Sequence, residues 1–475
     1  MLVAEWPRMR AAGTTGSMAR SSVGLPEWTK AWLTENRFAL ALFAFVLALS
    51  SLSALEVVFY SKPGDFLSFY AAASAASANV DFYDQQALEK LVALHGWGER
   101  VYPYLYPPAL AHALRPLATL ELTLAHRLWL GGTVVAFAAA VSLMLLGAQR
   151  AWATVTPRRP PPYSLLLTLA AVLVWALPLR NNLLLGQVNA VVLLFITLAV
   201  RAHLFGRSAQ AGLWLAPAIL IKMTPAVLLL FFALRANRRT LLGCMACLAG
   251  MFAISLGVGA GPDWVSFVRH APERTYGAAI PGLFSADTVW NFSPAGWLAR
   301  LLPEHSVWVP RLSLLALAGA CSVSTWLSLR ARAPSSDCLA LASLFPVLLL
   351  ASPLTYLHHV VYILPALVIW LLRAWSDERY ALFGTSLVAA FIAGTDWAPL
   401  YGRLFGPTAS PLLTSINLYA VLVFAGVGWV LLSYPFQAVT VRARAGRFVR
   451  AAALVVQRSQ ELRAARTAAA TEERV

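Results

Sequence analysis

Twelve apolar runs, separated by arginine, proline or short polar clusters, decide what this chain can fold into. They fall near residues 38–60, 123–147, 162–179, 183–200, 210–220, 224–234, 240–259, 309–329, 337–351, 356–372, 380–397 and 415–433. A helix needs about 20 predominantly apolar residues to cross a bilayer core, and several of the runs reach that length. Only 12% of the 475 residues are charged and 59% are hydrophobic, whereas a soluble domain carries about 25% charged residues. Too few charges exist to clothe a water-soluble globule. Soluble, disordered, coiled-coil and disulfide-framed classes are excluded, and an all-α polytopic membrane protein with about twelve transmembrane helices is predicted.

The first run is longer than the roughly 7–15 residues of a signal-peptide core, so it reads as an uncleaved first span. The pair 210–220 and 224–234, broken by Lys222-Met223-Thr224-Pro225, is too short for independent crossings. These two must be buried among neighbours, tilted or re-entrant. Cys244 and Cys247 form a C-x-x-C inside an apolar run, where the spacing places two small side chains on one helix face.

The net charge of +16 finds its place in the topology. Arg150, Arg158 and Arg159, then Arg201 and Arg207, then Arg235, Arg238 and Arg239, then Arg330 and Arg332, then Arg373 and Arg379 fall on alternate loops. The positive-inside rule puts these loops, and both termini, on the cytoplasmic side of the cell membrane. The expected division is a cytoplasmic segment 1–37, a transmembrane domain 38–436 and a basic tail 437–475. The tail reads either as an interfacial helix on anionic lipid or as a solvated helix. The basic excess therefore speaks to orientation and membrane lipids, and no nucleic-acid partner is expected.

Two longer segments are left on the outer face, 60–122 and 260–308. The first combines acids with many aromatic residues; Trp and Tyr are numerous near the predicted interfaces generally, which normally means an aromatic belt, and some also suit stacking on a sugar ring. Within it Phe69–Ala78 and Asp84–Leu94 read as short helices, the second capped by Asp84. Tyr106-Pro107-Pro108 opens a third that ends near Pro116.

Candidate chemistry gathers on this outer side. Asp65, just beyond the first span, is positioned to take a proton from a sugar hydroxyl, although a helix cap or a solvated residue fits the same place. Ser352-Pro353 should break a helix, and His358 with His359 follows near the membrane surface, as a proton shuttle or as structural residues. Lys222, between two half-length runs, suits a lipid phosphate, with snorkelling to the interface as the alternative. Arg180 and the segment Gly186-Gln187-Val188-Asn189 place polar groups at the start of a span, where Gln187 and Asn189 either bond to neighbouring helices or line a polar cavity. The D-x-x-D of Asp81 and Asp84 is not an acid pair for a metal-bound nucleotide-sugar, and no nucleotide-binding fingerprint is present. No metal site and no cofactor are expected.

The order of these elements is more specific than any one of them. Asp65 with Tyr70 and Ala72-Ala73 comes first, followed by Phe82-Tyr83-Asp84 and by Tyr104-Leu105-Tyr106-Pro107-Pro108 with Arg115-Pro116-Leu117. Gly186-Gln187-Val188-Asn189, Ile221-Lys222 with Pro225, Asn291-Phe292-Ser293, and Ser352-Pro353 with His358-His359 complete the series. Together, over about residues 60–370, they resemble glycosyltransferase family 87. That family has the GT-C fold and includes mannosyltransferases acting on phosphatidylinositol mannosides and related arabinofuranosyltransferases.

The resemblance implies a membrane glycosyltransferase that takes a sugar, mannose first and arabinofuranose next, from a polyprenyl-phosphate donor. The acceptor would be a glycolipid or glycan hydroxyl on the outer face, and the transfer an inverting single displacement with no obligatory divalent metal. Asp65 and His358 are then the catalytic candidates. Lys222, Gln187, Asn189, Arg180, Tyr106, His359 and Asn291 are the substrate-binding candidates. Thr355 and Tyr356 stand where the family pattern before the histidine has Ser and Trp, and Phe292 stands where it usually has Gln. A polytopic transporter or lipid flippase, and a non-catalytic scaffold of envelope assembly, are the competing classes; the long acidic and aromatic outer segment favours the enzyme.

Overall fold

The computed structural model describes residues 27–433 apart from 99, 156–162, 175–176, 275–284, 304–306, 332–335 and 406–409. The basic tail and most of the N-terminal segment lie outside the described residues. Every regular element described is helical, as apolar surroundings require, because a helix satisfies its backbone polar groups internally. In chain order the helices are α1 (Glu27–Tyr60), α2 (Phe66–Ser77), α3 (Gln85–Leu94), α4 (Pro108–Ala118), α5 (Leu122–Val155), α6 (Tyr163–Val174), α7 (Leu177–Leu185), α8 (Asn189–Leu204), α9 (Ser208–Ile221) and α10 (Leu229–Leu234). There follow α11 (Arg238–Gly257), α12 (Gly261–Arg269), α13 (Pro294–Leu301), α14 (Trp308–Arg330), α15 (Asp337–Ala342), α16 (Phe345–Leu350), α17 (Leu364–Ser376), α18 (Tyr380–Ala393), α19 (Ala398–Phe405) and α20 (Ile416–Ser433).

Among the described residues, seven helical stretches are long and apolar enough to cross a membrane, or eight if the pair α18 and α19, bent by 74°, is one broken span. The other apolar runs form helices of 10–17 residues, including α8, α9, the stretch Thr224–Leu234 and the stretch Asp337–Leu350. At 1.5 Å per residue these fall short of a hydrocarbon core about 30 Å thick. Their ends therefore stop within the protein, and the break at Lys222 is one such end. The full-length stretches differ sharply in environment. Only 6% of the apolar stretch of α1 is buried, against 94% for Leu357–Ser376. Phe38, Phe45 and Leu52 of α1 point outward, a face suited to lipid, whereas Leu357–Ser376 is the axis of the bundle.

Close approach around this axis depends on missing side chains, as is usual where helices pack without a hydrophobic driving force. A Cβ on Gly428 of α20 would come within 2.1 Å of the Trp370 ring, and one on Gly212 of α9 within 2.1 Å of the Thr240 carbonyl oxygen of α11. The segment between α1 and α5 forms a layer of three short helices, α2, α3 and α4, continuous with the bundle core. Asp84 caps α3 by accepting from the N–H groups of Gln86 and Ala87, and Pro108 opens α4, both as the sequence predicts. Its aromatic residues mostly build a core: Phe69, Phe82 and Tyr104 are buried and meet edge to face. Tyr70 Oη donates to the Leu120 carbonyl at 2.6 Å and Tyr83 Oη to the Tyr106 carbonyl at 2.7 Å. These rings hold the layer together and are not free for a sugar.

The Gly212 contact gives a direct test. The Thr240 carbonyl is backbone and cannot rotate away, so Gly212→Ala should cost about 1–3 kcal/mol of stability, the usual range for overpacking. The thermal midpoint of the purified protein in detergent is expected to fall, and an unchanged midpoint contradicts the packing described.

Candidate active site

Two turns, 122 residues apart in sequence, bring the first polar pair together. Gly64 and Gly186 both have positive φ, +49° and +65°, a region that side chains other than glycine disfavour. They press against each other's neighbours: a Cβ on Gly64 would approach the Leu185 carbonyl to 3.0 Å, and one on Gly186 would meet Phe66 Cβ at 2.6 Å. Asp65 therefore emerges beside Gln187. It occupies the N-cap position of α2 yet makes no capping bond; its Oδ2 accepts instead from Gln187 Nε2 at 2.5 Å. Gln187 Oε1 in turn accepts from Tyr106 Oη at 2.8 Å. Burial raises the Asp65 carboxyl to about 6, against the opposing pull of the Gln187 hydrogen bond and the Lys222 charge. Burial, reinforced by the nearby Asp65 charge, also pushes the Tyr106 hydroxyl up, so it stays a donor.

The second group centres on the break after α9. Lys222 is in extended conformation, φ −147° and ψ 121°, so its side chain leaves the helix axis sideways. Its Nζ donates to Asn189 Oδ1 at 2.9 Å, lies 2.5 Å from His359 Nε2, and sits 5.7 Å from the centre of the Tyr106 ring. Tyr106 thus borders both groups. Asn189 Oδ1 also accepts from Tyr362 Oη at 2.6 Å, while its Nδ2 donates to Asn182 Oδ1 at 3.1 Å. Asn182 Nδ2 donates to the carbonyls of Pro178 and His358 at 2.8 and 2.7 Å. Asn182 and Asn189 are fully buried, and this chain meets the demand that buried amides be partnered.

The two histidines separate. His359 Nδ1 accepts from the Tyr356 N–H at 2.9 Å, which aims the other ring nitrogen at Lys222. His358 Nδ1 donates to Asn181 Oδ1 at 3.3 Å. Among the described residues no direct hydrogen bond joins His358 to Asp65. Asn291 stands apart as a brace: its Oδ1 accepts from the N–H groups of Ser293 and Thr355, and its Nδ2 donates to the Ala286 and Pro353 carbonyls. It fixes the bend that leads to the histidines. Arg180 is turned away, its Nε donating to Ser53 Oγ at 3.1 Å and its guanidinium 3.9 Å from Glu56. Among the described residues, no three His, Cys, Asp or Glu side chains converge as a metal-ligand set. Cys244 and Cys247 are free thiols on α11.

Sequence reasoning missed Tyr362 as a member of the cluster. It lies three residues after His359, on the same side of a helical turn, and that spacing was the available signal.

A half-buried lysine, a buried histidine pair, and a carboxylate set in glycine-shaped turns follow the order of motifs that the resemblance rests on. The sequence profile of glycosyltransferase family 87 matches residues 104–353, more than half of the chain. This chain belongs to glycosyltransferase family 87. Tyr106, Gln187, Asn189 and Lys222 lie inside the matched stretch, Asp65 and the histidines outside it. A polyprenol-phosphate-mannose-dependent alpha-(1-2)-phosphatidylinositol mannoside mannosyltransferase of Mycolicibacterium smegmatis is 32% identical over 328 residues, covering 64% of this chain and 70% of the relative. Its namesake from Mycobacterium tuberculosis is 29% identical over 312 residues, 63% and 68% of the two chains. A polyprenol-phosphate-mannose-dependent alpha-(1-2)-phosphatidylinositol pentamannoside mannosyltransferase of Mycolicibacterium smegmatis is 30% identical over 352 residues, 70% and 77%. As a family 87 member the chain is a polytopic glycosyltransferase of the GT-C type, and the transporter and scaffold readings fall away.

The Asp65 environment fixes a pH dependence. If the carboxylate is the working form, turnover should fall as pH drops through about 6, where Asp65 takes up a proton. Gln187→Leu removes a donor that favours the carboxylate, so the acid limb of the pH–kcat curve should move to higher pH. A limb that stays in place, or moves to lower pH, contradicts the assigned hydrogen bond.

Proposed function

We propose that this protein transfers a mannosyl group from a polyprenyl-phosphate donor to a hydroxyl of a lipid-linked or glycan acceptor, on the outer face of the cell membrane. The observation that carries the reading is the meeting, across Tyr106 and Gln187, of the Asp65 carboxyl and the Lys222 amino group in a site set among apolar helices. Transfer from a phosphosugar is accelerated by a base at the acceptor hydroxyl and a cation at the leaving phosphate. The named activities of the relatives supply the sugar and the class of donor.

In the proposed displacement the acceptor oxygen attacks the anomeric carbon from the face opposite the phosphate. As the new C–O bond forms, the bond from the anomeric carbon to the phosphate oxygen breaks and its electron pair leaves with the phosphate. Asp65 takes the hydroxyl proton, and configuration at the anomeric carbon inverts. Lys222, steadied by Asn189 and His359, is the group that would face the leaving phosphate, where a partly dehydrated setting strengthens its field. Tyr106 and Gln187 orient the carboxylate. A largely apolar cavity of about 340 Å³ is lined by residues including Leu42, Val46, Pro178, Val360, Ile363 and Phe391. It suits a hydrocarbon chain. Arg180, held on Glu56, has no part in this scheme, and Asn291 acts through the backbone it braces.

The test uses membranes or purified protein supplied with labelled polyprenyl-phosphate-mannose. Asp65→Asn keeps the shape and loses the base, so kcat should fall by about 10²–10⁴-fold, the usual contribution of a general base. Lys222→Met should raise the donor KM by about ten- to a hundredfold, the loss of a charge-assisted hydrogen bond worth about 1.5–3 kcal/mol. Equal incorporation by wild type and Asp65→Asn, or no incorporation from any lipid-linked sugar, sinks the proposal.

A further inference from the structure

Trp129 of α5 stands behind the Asp65–Gln187 pair and touches the neighbour of each partner. Its indole N–H donates to the Gly186 carbonyl at 2.7 Å, and Gly186 directly precedes Gln187. Its ring stacks on Phe66, with centroids 5.8 Å apart and planes 27° from parallel, and Phe66 directly follows Asp65. The same ring leans on Phe69 at 6.0 Å. One turn earlier on α5, His126 stacks on Phe66 at 5.4 Å, so Phe66 lies against a rigid aromatic platform and is only 1% exposed. From the other side the bare backbone of Gly186 lies flush on Phe66, where a Cβ would come to 2.6 Å.

We infer that Trp129 is a positioning residue for the proton acceptor, fixing the separation of Asp65 and Gln187 by holding Phe66 with its ring and Gly186 with its indole N–H. The inference rests on the reading of Asp65 as the base in the proposed reaction. Its physical basis is that a hydrogen bond weakens steeply with distance and angle, and a displacement of about 1 Å at a reacting group can cost about 10²-fold in rate.

The groups that face Asp65 are Gln187 from the turn between α7 and α8, Lys222 from the end of α9, Tyr106 ahead of α4, and Tyr356 ahead of the turn that carries the histidines. On the α5 side Phe66 intervenes, and His126 faces that ring. Trp129 carries no charge. Replacing it leaves every one of these charges in place, so a change in the titration of Asp65 reports a change in its hydrogen bond, which raises it when lost, or in its burial, which lowers it when water enters. Loosening the Gln187 bond withdraws a donor from the carboxylate and moves the acid limb of the profile to higher pH.

The experiment compares the full-length purified enzyme with Trp129→Phe, which keeps a stacking ring and removes the N–H. Turnover of labelled polyprenyl-phosphate-mannose is measured across about pH 5–8, the span that brackets a base titrating near 6. The expected result is a kcat lowered by about tenfold, an acid limb displaced to higher pH and an unchanged donor KM. Gly186→Ala disturbs the same juxtaposition from the loop side and should move the limb in the same direction; it decides the matter if Trp129→Phe does not accumulate. A purely structural role for Trp129 predicts less folded protein with wild-type kcat and pH profile per folded enzyme, and that outcome overturns the inference while leaving the proposed reaction standing. A wild-type enzyme that transfers nothing from this donor overturns the reaction and this role together.

Discussion

The amide of Asn189 joins three segments that the apolar bundle would otherwise have no reason to hold in register. Its oxygen accepts from Lys222 at the end of α9 and from Tyr362 of the central axis, and its nitrogen donates to Asn182 of α7. Fully buried, it would cost several kcal/mol if unpaired in such surroundings. The demand for partners fixes how these segments meet. It also fixes where the lysine points, because an ammonium near the apolar core is tolerated only with acceptors around it.

From that constraint the remaining geometry follows by short steps. Asn182 reaches the His358 carbonyl, so the polypeptide that bends at Pro353 is drawn to α7, and His359 is delivered to Lys222. The carboxylate arrives by a different device. The glycine turns at Gly64 and Gly186 let two backbones touch, and a side chain that would ordinarily cap a helix is spent on Gln187. One half of the site is thus held by buried amides and the other by backbone shape. Tyr106 is the side chain bordering both, through Gln187 on one side and the face of its ring on the other. A phosphosugar has the same two-ended character, an anionic leaving group and a hydroxyl that must lose a proton.

How much of this is legible in the sequence depends on the range of the interaction. The cap at Asp84, the helix opened by Pro108 and the break at Lys222 are local, and the sequence predicts each. The polar nature of Gln187 and Asn189 in an apolar run is legible too, but their partners are not: Asp65 is 122 residues from Gln187, and Tyr362 is 173 from Asn189. The partners of Arg180, Ser53 and Glu56 of α1, are likewise more than 120 residues away in sequence. Aromatic residues near the predicted interfaces read as a belt, some suited to a sugar, yet between α1 and α5 a thin layer must bury something to be stable, and rings with their hydroxyls on backbone carbonyls do that. Run length overstates the number of full-length helices, since short apolar helices ending inside a protein share the composition of spans. The choice between His358 and His359 turns on the backbone bend braced by Asn291, which no periodicity encodes.

The claim on which all else rests is that Lys222 and Asp65 address the two ends of one bound phosphosugar. The most direct measurement is a cryo-EM map of the protein with a non-transferable phosphonate analogue of polyprenyl-phosphate-mannose. The account predicts phosphonate density within hydrogen-bonding distance of Lys222 Nζ, with the sugar turned toward the Asp65 carboxylate. Phosphonate density away from Lys222, or a sugar that leaves Asp65 without access to its anomeric face, contradicts it.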